Sequence, residues 1–261
     1  MTTVYPSENN KFALKVTVMC NGTKNFRVRA EDSRHKYSVY ADRIIQVSGE
    51  RFIILSFPVS PKSLFITVEN VNDPNDKSFR VDLKEEKLKT YNIWLDEDTR
   101  EFVQMAITVS QTCCFEVPKA SGTLFQTPNG KYNIKSYPYI KDFASGRILN
   151  TPARIGHRTG LIEISAAKFA GYTIPMRMAI LLHEFSHKYK NPNIGLKISN
   201  EIGADINALY IYLGLGFSKV DAICVFGNVF LKAQTDGNIE RIRKIQDYIR
   251  RFENQEYAEI N

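Results

Sequence analysis

The chain has 261 residues, 43% hydrophobic and 24% charged, with a net charge of +7 and a sequence pI near 9.1. This is the balance of an ordinary globular protein with room for one large or two small domains, and no run approaches the roughly 18 apolar residues of a membrane span. The basic excess favours acidic partners without naming one, and neither an RNA-binding signature nor a Gly-rich phosphate loop is present.

From Lys11 to about Lys89 the pattern is strand-like. KFALKVTVMC, NFRVRA, KYSVYA, RIIQVS, RFIILSFPV, SLFITVEN and KSFRVDLK are short, alternating and rich in β-branched and aromatic residues. Asn21-Gly22 and Ser48-Gly49 read as hairpin turns, the second joining RIIQV to RFIIL. Strands at this spacing predict an antiparallel β-sandwich over residues 1–90. His35, in EDSRHK, reads as a solvated loop residue.

The charged run Lys84 to Lys89 marks a boundary near Thr90, so that residues 91–261 form a second domain. Thr99 to Gln111 fits a helix, because Asp96, Glu97 and Asp98 crowd its start. Pro128-Asn129-Gly130 makes a turn before the strand KYNIKSYPYI, and Gly160 opens the strand Leu161, Ile162, Glu163, Ile164, Ser165. The four cysteines, Cys20, Cys113, Cys114 and Cys224, include no CxxC pair. Vicinal Cys113-Cys114 reads as buried thiols in a reducing compartment, with a redox pair as the alternative.

Met176 to Tyr189, MRMAILLHEFSHKY, carries the chemistry. Its first half is apolar apart from Arg177, as in a buried central helix. His183 and His187, four apart, stack on one helix face, where both imidazoles can reach one metal. Glu184, next to the first of them, can take a proton from a water on that metal. Buried histidines bonded to backbone are the alternative. Asn191-Pro192-Asn193 then reads as a turn, and Asn200-Glu201-Ile202-Gly203-Ala204-Asp205 as the start of a second helix capped by Ser199 or Asn200. On it Glu201 could be the third ligand, while Asp205 fixes the tautomer of a ligand histidine.

Further on, Tyr210 and Tyr212 read as core residues with bonded hydroxyls rather than as groups contacting a reaction intermediate. His157, in GHRTG, reads as an exposed loop residue rather than an oxyanion donor. Ser218 to Asp221 resembles a capping box, opening a helix whose Val220, Ile223, Val229 and Phe230 form a core face. The last helix, Asn238 to Phe252, has an apolar stripe of Ile239, Ile242, Ile245, Ile249 and Phe252. Arg241, Arg243, Lys244, Arg250 and Arg251 are assigned to its solvated outer face, with contact to an acidic partner as the alternative.

HEFSH followed by NEIGAD resembles the gluzincin metallopeptidases, in which HExxH and a downstream ExxxD build the site; the run from Ala204-Asp205 to Ala208 looks most like the minimal cytosolic gluzincins and the integral-membrane prenyl-protein endopeptidases. The resemblance spans about residues 95 to 215. It implies an α+β chain whose second half is a small zincin-like domain, with a short sheet, an active-site helix, a glutamate helix and C-terminal helices. It implies one Zn²⁺ held by His183, His187 and Glu201, with Asp205 behind them and Glu184 as general base of an endopeptidase acting on protein or peptide. In such enzymes a strand just upstream of the catalytic helix pairs with extended substrate, a role that falls on Leu161 to Ser165 unless that strand is interior. The N-terminal domain is then a docking module. The rival reading is a structural or adaptor protein of a larger assembly, such as a bacteriophage particle, with a zincin-like domain of low or no activity. The opening MTTVYPSENNKFALKVTV lacks the basic and apolar regions of a secretory signal, so the expected location is cytoplasmic or virion-associated.

Overall fold

A computed structural model describes residues 1–35, 37–189, 200–230 and 235–254. The chain divides into two compact units, Met1–Thr90 with Gly216–Ser218, and Tyr91–Leu215 with the chain from Lys219 onward.

The first unit is built on two very long strands, β2 (Phe12–Asp32) and β3 (Val39–Phe57), paired antiparallel from Phe12↔Phe57 to Glu31↔Val39. Along the other side of β2 lie β4 (Ser63–Asn70), at its second half, and β5 (Phe79–Glu86), at its first. β1 (Thr2–Pro6) adds to β4. Neither Asn21-Gly22 nor Ser48-Gly49 is a hairpin. They face each other across the ladder, where the register slips between Cys20↔Gly49 and Thr23↔Ser48, and Gly22 and Gly49 take φ of +73° and +74°. Positive φ is what an Asn-Gly turn needs, and a bulge uses the same freedom to bend a strand. Both strands therefore turn at one place, and the reversal between them comes after Asp32 and before Val39 instead.

The bend folds the sheet over. Tyr5 is opposite Leu64, which is opposite Asp32 at the far end of β2, yet its ring stacks on Phe12, at the near end, with centroids 5.3 Å apart. A straight strand would separate those ends by about 65 Å. Leu14, Val16, Val18, Phe26, Val28, Leu55 and Leu64 line the enclosed face with no exposure, each stabilising the fold by about 1.5–3 kcal/mol. The expected seven strands in two sheets are thus replaced by fewer, longer strands in one continuous antiparallel sheet closed on its own apolar side.

The second unit begins with α1 (Glu97–Thr112), whose N-cap Asp96 accepts from Thr99 N. Its small sheet runs in the order β6 (Thr123–Gln126), β7 (Asn133–Tyr137), β9 (Ile162–Ser165), β8 (Ala153–Ile155), with β7 and β9 parallel and the outer pairs antiparallel. The strand after Gly160 is therefore interior, bonded on both sides, and cannot be the substrate edge assigned to Leu161 through Ser165. The edge on that side is β8. A short helix, α2 (Ala166–Phe169), leads into α3 (Ile174–Ser186), around which α1, α4 (Asn200–Gly214), α5 (Lys219–Val225) and β8 pack. The last helix, α6 (Asp236–Glu253), packs on α4.

Two apolar assignments shift. Val220 and Ile223 are 42% and 45% exposed, and it is Ala222, Val225 and Phe226 that face inward. A helix of α5's length gives too few turns to tell two neighbouring stripes apart. In α6 the buried stripe is Ile245, Tyr248, Ile249 and Phe252, while Ile239 stands largely in solvent. The turn expected at Asn191-Pro192-Asn193 and the cap expected at Ser199 lie outside the described residues. Among the described residues no helix is long and apolar enough to cross a membrane.

Candidate metal centre

α3 is positioned before any functional residue is placed on it. Thr173 caps its start, accepting from Met176 N, and Pro175 occupies the first turn, where a missing N–H costs nothing. Almost every side chain along it is buried, including Arg177, whose guanidinium donates to the carbonyls of Phe169, Tyr172 and Ser110. Phe185 stacks on Phe102 of α1, centroids 4.0 Å apart, which fixes the rotation of the helix about its axis. The helix ends at Ser186, with His187 as its C-cap still in helical geometry, rather than continuing to Tyr189. Asn207 of α4 secures that end, its amide donating to Ser186 Oγ at 2.7 Å and Tyr189 O at 3.2 Å.

With α3 so held, the spacing of the histidines does what a helix requires. Nε2 of His183 and Nε2 of His187 lie 3.1 Å apart. From the first turn of α4, Glu201 brings its carboxylate to 3.9 Å from His183 Nε2 and 3.7 Å from His187 Nε2. Donors on a tetrahedral zinc ion, at about 2.0–2.1 Å each, sit about 3.3 Å from one another. The two imidazoles and one carboxylate fit that ion in type and in spacing. Burial, then the neighbouring His183, lowers the His187 pKa, which favours the neutral imidazole a metal needs.

Behind the donors, Asp205 is 1% exposed and its Oδ1 lies 2.9 Å from His183 Nδ1. A proton on Nδ1, facing that carboxylate, would leave the Nε2 lone pair free on the side of His187 and Glu201. Arg241, which sequence reasoning had placed on a solvated face, completes this layer. Its Nε donates to Asp205 Oδ2 at 2.8 Å and its Nη2 to Oδ1 at 2.9 Å, and it lies 3.2 Å from Glu201 Oε2. The one sequence sign was its place at the start of α6, a turn before the stripe becomes fully buried.

Glu184, beside His183 on the same helix, is almost enclosed and close enough to His183 and Glu201 to feel the charge of both. It accepts from the backbone of Ile155 in β8, the edge strand; burial raises its pKa, with His183 acting against the shift and Glu201 with it. His157 is exposed, yet its ring centroid lies 6.4 Å from that of His187. Tyr210 is a core residue, its hydroxyl accepting from Trp94 N at 3.0 Å, and Tyr212 is buried beside it on α4. Glu163 pairs with Arg154 at 2.6 Å.

No known family model matches the sequence, and no curated protein matches it. Among solved structures, the M60 catalytic domain from Clostridium perfringens ZmpC, in complex with the sialyl T antigen, is similar at a TM-score of 0.24 and 12% identity over 85% of this chain. The chain spans 55% of that protein's length. So loose a likeness carries no argument about function, which rests on the geometry of the site.

Proposed function

We propose that the chain is a zinc-dependent endopeptidase in which His183, His187 and Glu201 hold the ion and Glu184 is the general base. The observation that supports this most is the convergence of three donors of the right chemistry, all within 4.8 Å of one another, with Asp205 at the far nitrogen of His183. A structural zinc site has no need of Glu184 and fills its fourth position with protein. Zinc in such a site acts as a Lewis acid that polarises a peptide carbonyl and acidifies a water.

The chain's own residues do the rest. Glu184 takes a proton as the water attacks and returns it to the leaving amine, a task suited to a carboxyl whose pKa burial has already raised. Asp205 and Arg241 keep His183 in the tautomer that binds metal. An extended peptide has β8 to lie along, since this strand is paired on one side only and its Ile155 touches the catalytic carboxylate. In this reading the first unit docks the protein on its substrate or on a larger assembly; β3, at the edge of its sheet, exposes Ile44, Phe52 and Ile54.

Metal analysis and one substitution test the proposal. Reconstituted protein should hold about one equivalent of zinc, and less than about half an equivalent would count against it. Glu184→Gln should keep the metal and lose hydrolysis of a denatured protein substrate. Hydrolysis at the wild-type rate by that variant would overturn the mechanism.

A further inference from the structure

Two thiols that this chemistry does not use lie against each other at the end of α1. The sulfurs of Cys113 and Cys114 are 3.5 Å apart, and Cys114 Sγ lies 3.7 Å from the carbonyl oxygen of Ala166. Cys113 is 4% exposed and Cys114 8%, so the second is the more accessible. Arg177 brings a fixed charge to them: its guanidinium is wholly buried, and its Nη1 donates at 2.8 Å to the carbonyl of Ser110, one turn before the pair. A guanidinium does not give up its proton, and a buried cation favours a thiolate beside it.

The two sulfurs are not equivalent. A hydrogen bond from Cys113 brings the Cys114 pKa down to about 7, against burial and with help from Arg177. The same hydrogen bond, and then burial, push the Cys113 thiol well up. A thiolate is therefore favoured at Cys114 over Cys113.

From these contacts we propose that Cys113 and Cys114 form a peroxide-sensitive modification site, with Cys114 as the sulfur oxidised first and Cys113 as the one that closes a vicinal disulfide. The Cys114 thiolate attacks one oxygen of hydrogen peroxide; the O–O bond breaks, a sulfenic acid forms, and hydroxide leaves to take up the proton the thiol had released. The Cys113 sulfur then attacks the Cys114 sulfur. The S–O bond breaks and water departs with the Cys113 proton, so both thiols are oxidised and the peroxide is reduced to water. The sulfurs must close to about 2.05 Å, and adjacent Cα atoms, about 3.8 Å apart, are nearer than most disulfides place theirs. The resulting bond is strained and easily reduced, the character of a reversible modification rather than a structural bridge. The negative charge facing Arg177 is lost with it, on the helix that also carries His183.

The test treats the full chain, carrying Cys224→Ser to remove the exposed thiol, with hydrogen peroxide at neutral pH and follows it by peptide mass spectrometry. The tryptic peptide spanning residues 101–119 should become about 2 Da lighter, revert on treatment with dithiothreitol, and form at least about tenfold faster than any oxidation at buried Cys20. In Cys113→Ser, Cys114 should stop at a sulfenic acid that dimedone traps; in Cys114→Ser, Cys113 should stay reduced over the same interval. No 2 Da loss from that peptide, with or without the added oxygen of Met105 sulfoxide, while methionines elsewhere in the parent protein oxidise, or faster loss of Cys113 than Cys114, overturns the proposal. Should either serine variant fail to fold, the parent measurement decides alone.

Discussion

Arg241 and Asp205, on different helices and 36 residues apart in the chain, are joined by a two-pronged guanidinium fork whose bonds measure 2.8 and 2.9 Å. The carboxylate is buried, and burying a charge is costly unless its oxygens are satisfied. Arg241→Met leaves that charge to His183 alone. Zinc affinity, read by competition with a chromophoric chelator, should fall by about 10–100-fold. Arg241→Lys keeps the charge without the fork and should fall between the two. Equal affinity in all three proteins would make the fork a packing feature only.

Glu201→Gln should weaken zinc binding more than Asp205→Asn, because the first removes a donor and the second only an orienting partner. The Asp205→Asn loss should also fail to add to that of Arg241→Met, since both remove one interaction. If Asp205→Asn proves the costlier change, the two acids have exchanged roles and Asp205 is the ligand.

At the bend of the first unit, Gly22→Ala and Gly49→Ala should each destabilise the protein by about 1–2 kcal/mol, because a Cβ is disfavoured in the left-handed region. Nothing lies within 4 Å of where either Cβ would sit, so the cost is one of backbone strain and not of collision. Chemical denaturation measures it; a loss below experimental error at both sites would mean that the strands bend without those angles.

Tyr5 and Glu85 join β1 to β5, and the Tyr5 pKa is pushed up to about 12 by burial and by its hydrogen bond to Glu85. A group whose folded pKa is raised contributes stability that is complete below its unfolded value of 10.0 and is lost as pH rises through the folded one. The stability difference between wild type and Tyr5→Phe should therefore be constant up to about pH 9 and shrink between about pH 10 and 12. Melting curves across that range would show a constant difference throughout if the hydroxyl plays no part.

How much could be read from the residues alone depended on whether the signal was local. His183, Glu184 and His187 lie within two turns of one helix, and Glu201 and Asp205 within one turn of another, so spacing alone decides which side chains share a face. α1 declared itself through the acids at its start. Arg241 did not, because an arginine at the polar margin of an amphipathic helix looks the same whether it meets water or a carboxylate on another element. The pairing of Ile162–Ser165 was equally hidden, since a short buried strand reads alike whether it is central or at an edge. Asn21-Gly22 misled for a different reason: a hairpin turn and a strand bulge call for the same backbone angle, and only the partner strand distinguishes them.

The facing glycines also bear on how the first unit assembles. β2 and β3 follow each other closely in the chain, with Glu31 paired to Val39, so their ladder can close outward from that pair, each new pair adding only a small increment of loop entropy. The register slip at Cys20 and Thr23 lies partway along this path. Pairs from Glu31↔Val39 to Thr23↔Ser48 are low in sequence separation and should form early, whereas Phe12↔Phe57 and the stacking of Tyr5 on Phe12 must wait for the chain beyond the slip. The bend thus divides the sheet in time as well as in space, into a rapidly zipped half and a late-closing one.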